Sequence, residues 1–171
     1  MSDTYISIVP IDVDKDKALA LAEKFKTKLI HKNVISEDLT PSSNAISKTV
    51  SKNEVFKNLE NNKLEIVIAR QVFDNGGNGV EKIICPNCSF NIIETNWMDA
   101  IEEWYSNSGK DTCICPNCSE KKSISEYYFE PNWGFGELGF TFWNWPNFTD
   151  DFIIEIEKIL NHKVKIIYGI L

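Results

Sequence analysis

Three features of the sequence predict an α+β fold. Apolar residues recur at helical spacing in two stretches, one near each end of the chain. Alternating β-branched and aromatic segments stand before, between and after them. Two identical Cys-Pro-Asn-Cys units interrupt the middle, where neither period holds for long.

Taken in order, residues 4–11 (TYISIVPI) alternate and read as a strand. Asp14 is placed to cap a helix in which Ala18, Leu21, Ala22, Phe25 and Leu29 share a face. Lys26, Lys28 and Lys32 sit near its end, where the helix dipole favours cations. Residues 33–62 are polar and weakly periodic, and are expected as a long loop with one short helix over 54–59. Residues 64–73 form a second strand, DNGGNG (74–79) a turn, and 80–84 the returning arm of a hairpin leading to the first cysteine unit. Asn96 can cap a helix whose Trp97, Ile101, Trp104 and Tyr105 fall on one side. Further strands are expected over 123–130 and 137–145. Thr149 caps a last helix, with Asp150 and Asp151 in its first turn and Phe152, Ile153, Ile156, Ile159 and Leu160 inward, and 164–171 closes the chain as a strand.

With the cysteine segment set aside, this order suits a ferredoxin-like sandwich of antiparallel strands with helices on one face. Residues 1–79 and 123–171 are then two halves of one α+β domain, and 80–122 an inserted four-cysteine zinc-ribbon module. A chain of 171 residues is long enough to bury a core without staples. The opening residues carry no basic, apolar leader and no stretch approaches a membrane span, so a cytoplasmic location is expected. The net charge of -7 sets the chain against phosphate backbones unless a local basic face exists.

Cys85, Cys88, Cys115 and Cys118 form C-x2-C-x26-C-x2-C. Each C-x2-C turn directs two sulfurs to one point, and Zn2+ accepts four thiolates tetrahedrally. A lone four-cysteine site also holds iron, which is the competing occupant. Four protein ligands leave no open position for a substrate or water, so the metal is expected to be structural. Asn87, Ser89, Asn117 and Ser119 belong to turns that aim backbone N–H groups at the sulfurs. Lys82, Lys121 and Lys122 either offset the charge of the site or are solvated. Cys113, two residues before Cys115, is expected as a small buried residue outside the ligand set.

No catalytic set emerges. Gly134, Gly136 and Gly139 spell G-x-G-x-x-G, but they precede a strand instead of opening a helix, so they read as a turn that lets aromatic rings approach the backbone. His31 and His162 lie at helix ends, where they cap. The aromatic run over 133–148 is expected to send Phe140 and Phe142 to one side of a strand and Trp143 and Trp145 to the other. Either the second set is exposed or it lies under the module with Trp97 and Trp104. Trp97, Trp104, Trp133, Trp143 and Trp145 are the candidate partner-binding residues. Residues 127–157 contain no Lys or Arg and carry Glu130, Glu137, Asp150, Asp151, Glu155 and Glu157, which suits a basic protein partner better than a nucleic acid.

The doubled CPNC, followed by GFGELGFTFWNWP and by LNHKVKIIYGIL, resembles a group of small uncharacterised bacterial proteins that pair a zinc-ribbon insert with a C-terminal G-x-L-G-F-x-F-W-N-W strand and an L-G-H-x-V helix exit. Asn161 stands where that group has Gly, and both residues suit a left-handed helix C-cap. Similar small acidic proteins look like immunity proteins that bind and block a toxin. The implied function is a non-enzymatic inhibitor of a basic toxin domain. The alternative is a zinc-ribbon nucleic-acid-binding or transcription accessory protein.

Overall fold

Strict alternation makes the first segment a strand, β1 (Thr4–Pro10), with Ile6 and Ile8 on one face and Ser7 and Val9 on the other. The computed structural model, which describes residues 2–171, is α+β throughout. After β1 come α1 (Lys15–His31), β2 (Leu64–Val67), β3 (Gln71–Phe73), β4 (Lys82–Ile84), α2 (Trp97–Tyr105), β5 (Thr112–Ile114) and β6 (Lys121–Ser123). The chain continues through β7 (Tyr128–Glu130), β8 (Gly134–Gly136), β9 (Gly139–Trp143), α3 (Asp150–Leu160) and β10 (Val164–Ile170). Two regions result, a body and a module.

The body is a four-stranded antiparallel sheet in the order β10-β1-β9-β2. Its register sets Ile6 opposite Phe142, Ile8 opposite Phe140, and Leu64 and Ile66 opposite the same two rings. Onto this apolar face α1 lays Ala18, Ala22, Phe25 and Leu29, and α3 lays Phe152, Ile156 and Leu160, all buried. Phe25 and Phe140 meet with ring centroids 4.3 Å apart. The Thr149 hydroxyl accepts from the Phe152 N–H at 3.2 Å, as an N-cap should, and Asn161 ends α3 in the left-handed conformation. Asp14 occupies the N-cap position of α1, but its side chain makes no capping bond and pairs with Lys17 instead.

On the sheet's other face Ser7 and Thr141 share a buried 2.8 Å hydrogen bond, and Val9, Ile167 and Phe73 form a small second core. The β3–β8 ribbon crosses this face, and glycines let it come close. A Cβ on Gly134 would stand 2.9 Å from Val9 and Ile167, and one on Gly139 would run into the Phe73 ring at 2.2 Å.

Several expectations need correction. Residues 64–73 are not one strand: β2 stays at the sheet edge, the chain turns out at 68–70, and β3 pairs with β8. The 64–84 hairpin does not form, because the ladder bonds of β3 and β4 go to β8 and β7. The 74–79 turn instead docks on the end of β10, with the Asn78 side chain donating to the Ile170 carbonyl at 2.9 Å. The long loop holds two 3-10 turns, Ala45–Lys48 and Glu54–Asn58, and buries Val34, Ile35, Ala45 and Phe56. Trp145 does not cover the second face. The chain reverses at Asn144 (φ 56°) and drops Trp145 into the helix-side core beside Phe142, Phe148 and Phe56.

In the module the expected strand over 123–130 breaks. Ser123 and Glu126 form a capping box that starts a 3-10 turn, and only β7 beyond it is extended. The module's core runs through Ile124 and Tyr127 to Phe129, so a boundary at 122 falls inside it. Besides the β3–β8 ribbon, one side chain joins the two regions. Arg70, the only arginine, lays its guanidinium 3.9 Å above the Trp104 ring, donates from Nε to the Trp104 carbonyl at 2.7 Å and pairs with Glu137 at 2.8 Å.

Candidate metal centre

Each Cys-Pro-Asn-Cys unit follows a short strand, β4 or β5, and bends back under the same two bonds. Ser89 N–H donates to the Cys85 carbonyl at 3.0 Å, and Ser119 N–H to the Cys115 carbonyl at 2.9 Å. Cys85 N–H and Cys115 N–H donate to Phe90 and Glu120 carbonyls at 2.8 and 2.9 Å. Both serines are left-handed, with φ of 62° and 61°. The repeated sequence thus makes a repeated turn. In each, the first cysteine is buried and the second half-buried.

The turns face each other and bring all four sulfurs within 4.8 Å, with no disulfide between them. Cys85 and Cys118 sulfurs lie 3.8 Å apart, and Cys88 and Cys115 sulfurs 3.5 Å. A tetrahedral ion with metal–sulfur bonds of about 2.3 Å has sulfur–sulfur edges of about 3.8 Å. The set can hold a metal ion, with every donor a thiol.

The surroundings prepare the thiols unequally. The Asn117 side chain reaches across to Cys88, and with the Phe90 N–H it draws that thiol down to about 6. Burial pushes Cys115 up to about 11. A cation among the four would favour the thiolate at every position. Lys82 and Lys122 face carboxylates, Lys82 against Glu130 at 3.0 Å and Lys122 near Glu120 and Glu126.

Cys113 lies in the module's core, outside the sulfur cluster, and burial raises its pKa. Tyr127 was missed in the sequence. It is fully buried, its hydroxyl donates to the Cys113 carbonyl at 3.3 Å, and burial followed by the nearby cysteines raises its pKa strongly. The signal that could have found it is the S-x-x-E capping box at Ser123, which places the next residue under the cysteine turns.

The five candidate tryptophans do not form one surface. Trp104 is buried beneath Arg70, and Trp145 lies in the body's core, so neither has a face to offer. Trp97 and Trp133 pack edge to face in the module, and Trp133 stacks on Phe129 at 5.2 Å. Trp143 lies on the second sheet face against Tyr5 and donates to Glu65 at 2.9 Å. Tyr105 does not share the buried side of α2 with Trp104; it is 62% exposed.

The acidic C-terminal face is also largely neutralised. Glu130 pairs with Lys82, Glu137 with Arg70, Glu155 with Lys32 and Lys48, and Glu157 with Lys163. Asp150 and Asp151 pair with no cation among the described residues, and a second unpaired group lies on and near α2. From residue 83 to 109 there is no Lys or Arg, and among the described residues no cation pairs with Glu94, Asp99, Glu102 or Glu103. On α2, Asp99 and Glu102 are exposed beside Met98 and Tyr105, themselves 60% and 62% exposed. His162 donates from Nδ1 to the Ile11 carbonyl at 2.7 Å, a structural bond.

Comparison of the chain with known protein families, with characterised proteins and with solved structures gave no match. No helix among the described residues is long and apolar enough to cross a membrane.

Proposed function

We propose that the chain is a non-enzymatic protein-binding protein, an immunity-type inhibitor that covers a basic toxin domain such as a nuclease. The observation that carries this reading is the outer face of α2, where unpaired Asp99 and Glu102 flank exposed Met98 and Tyr105. Apolar and aromatic side chains supply contact area, and an unneutralised acidic setting speeds encounter with a basic partner. The same acidity opposes a phosphate backbone, which weighs against the nucleic-acid alternative.

The resident ion in this reading is Zn2+, held structurally by Cys85, Cys88, Cys115 and Cys118. A closed set of four thiolates supports a clamp, because a catalytic zinc keeps a position open for water. The body is read as a ferredoxin-like sandwich. Its order supports this: α1 links β1 to β2 across β9, and α3 links β9 to β10 across β1.

The test is a titration of the metal-loaded chain against the purified product of the neighbouring gene. Saturable binding is expected, with Asp99→Lys/Glu102→Lys weakening it at least tenfold and Asp150→Lys/Asp151→Lys leaving it unchanged. A neighbour that does not bind, or binding that ignores the α2 reversal, overturns the reading. Elemental analysis should find one zinc per chain; iron would show instead as visible sulfur-to-iron absorption.

A further inference from the structure

The seam between body and module holds a half-open cleft of about 490 Å3, within the range of small-molecule sites. Its body side is the end of β1 and the start of β10; its module side is the first cysteine turn and the segment from Lys122 to Tyr128. Val9 and Phe135 give it an apolar floor.

Lys165 stands in this wall and is unlike the other half-buried cations. Lys48, Lys57 and Arg70 each meet a carboxylate within 3.6 Å. Lys165 is half-buried and, among the described residues, its ammonium has no hydrogen bond or ion pair; burial alone acts on it and lowers its pKa. An ammonium has three donors and no acceptor, so a partly desolvated one without a partner favours an anion. Across the cavity, Lys122 keeps donors free, since its carboxylates stand 3.7 and 3.8 Å away. Tyr128 also lines the cavity, and its hydroxyl has no hydrogen bond among the described residues.

We infer that this cleft is a binding site for a small organic monoanion, a carboxylate on an apolar or aromatic body, with the carboxylate at Lys165 and the carbon skeleton on Val9 and Phe135. Asp12 and Glu126 share the lining, and their charges set the site against a phosphate dianion. The ligand would touch both regions at once, so it would fix the module on the body. The inference does not depend on the docking face of α2.

The experiment is a two-dimensional amide NMR titration of the metal-loaded full chain with phenylacetate, benzyl alcohol, phenethylamine and inorganic phosphate. Phenylacetate is expected to bind saturably with a Kd on the order of 1 mM, moving signals around Lys165 and Tyr128. The alcohol, the amine and phosphate should bind at least tenfold more weakly. Lys165→Met should lose at least tenfold in phenylacetate affinity while its melting temperature holds or rises, because the lysine has no partner to lose. Lys165→Gln serves as the second variant if the methionine disturbs folding. No saturable phenylacetate binding, equal binding of the alcohol, tighter binding of phosphate, or wild-type affinity in both variants each overturns the proposal.

Discussion

The body and the module solve the same problem with different means. In the body, 19 buried apolar residues form one continuous cluster in which two helices close on a four-stranded sheet. In the module the buried cluster has ten members, and three of these are cysteines. Its ladders, β4–β7 and β5–β6, each pair only three residues of a strand. So small a core does not offset the entropy of ordering its loops, which is why regions of this size take a metal or a disulfide. The sulfurs occupy the position that a large apolar side chain would fill in a longer domain.

Metal removal should expose this difference most sharply. Structural zinc in small peptides contributes about 10–16 kcal/mol, far more than any single side chain here. A strong chelator, or Cys85→Ser, is expected to abolish the near-ultraviolet signal of Trp97, Trp104 and Trp133 and to unprotect the amides of residues 82–130. The body should retain a cooperative transition of its own. One joint collapse of both regions would instead mean that the β3–β8 ribbon couples them fully. Cys113→Ser should keep the full metal complement.

The converse lesion lies in the body. Phe140→Ala, at the centre of the sheet's apolar face, should cost about 3–5 kcal/mol in urea unfolding and leave metal affinity unchanged. Between the two stands Arg70→Ala, which removes a stacked guanidinium, a bond to a helix carbonyl and the Glu137 pair together. A loss of about 2 kcal/mol is expected, with faster exchange confined to α2 and the 68–72 segment. Faster exchange throughout the body would show that Arg70 supports more than the seam.

What was legible in the sequence follows the range of the interactions. Phe25 and Leu29 in α1, Thr149 as a cap, and the gathering of four cysteines with Cys113 left outside depend on neighbours a few residues away, or on a motif repeated whole. The broken strand at 68–70 did not, because β3 finds its partner 61 to 65 residues on. Trp145 was misplaced for the same reason: alternation sends it to one face, but a left-handed Asn144 ends the alternation first. The acidity of residues 127–157 was visible, whereas its neutralisation by Lys32, Lys48, Arg70 and Lys82 is a property of the fold. The contrasting face of α2 escaped notice because its carboxylates stand out only once Glu130, Glu137, Glu155 and Glu157 are seen to be paired.

The smallest expected effect tests whether such pairing stabilises the body at all. Glu155 on α3 lies 2.7 Å from Lys32 at the end of α1 and 2.6 Å from Lys48 in the loop. Burial pushes its pKa up, but the hydrogen bonds from the two ammonium groups outweigh this and hold it below the ordinary glutamate range. A carboxyl lowered on folding adds stability above its unfolded pKa, and that stability is lost as pH falls through the folded value. Glu155→Gln should therefore unfold about 1 kcal/mol more easily at pH 7, with the deficit shrinking as pH drops below the ordinary glutamate range and vanishing under the lowered pKa. High salt should shrink it too, since Lys32 is half exposed. A deficit that stays constant with pH would mean that Glu155 holds the helices by packing and hydrogen-bond geometry, and that its charge is incidental.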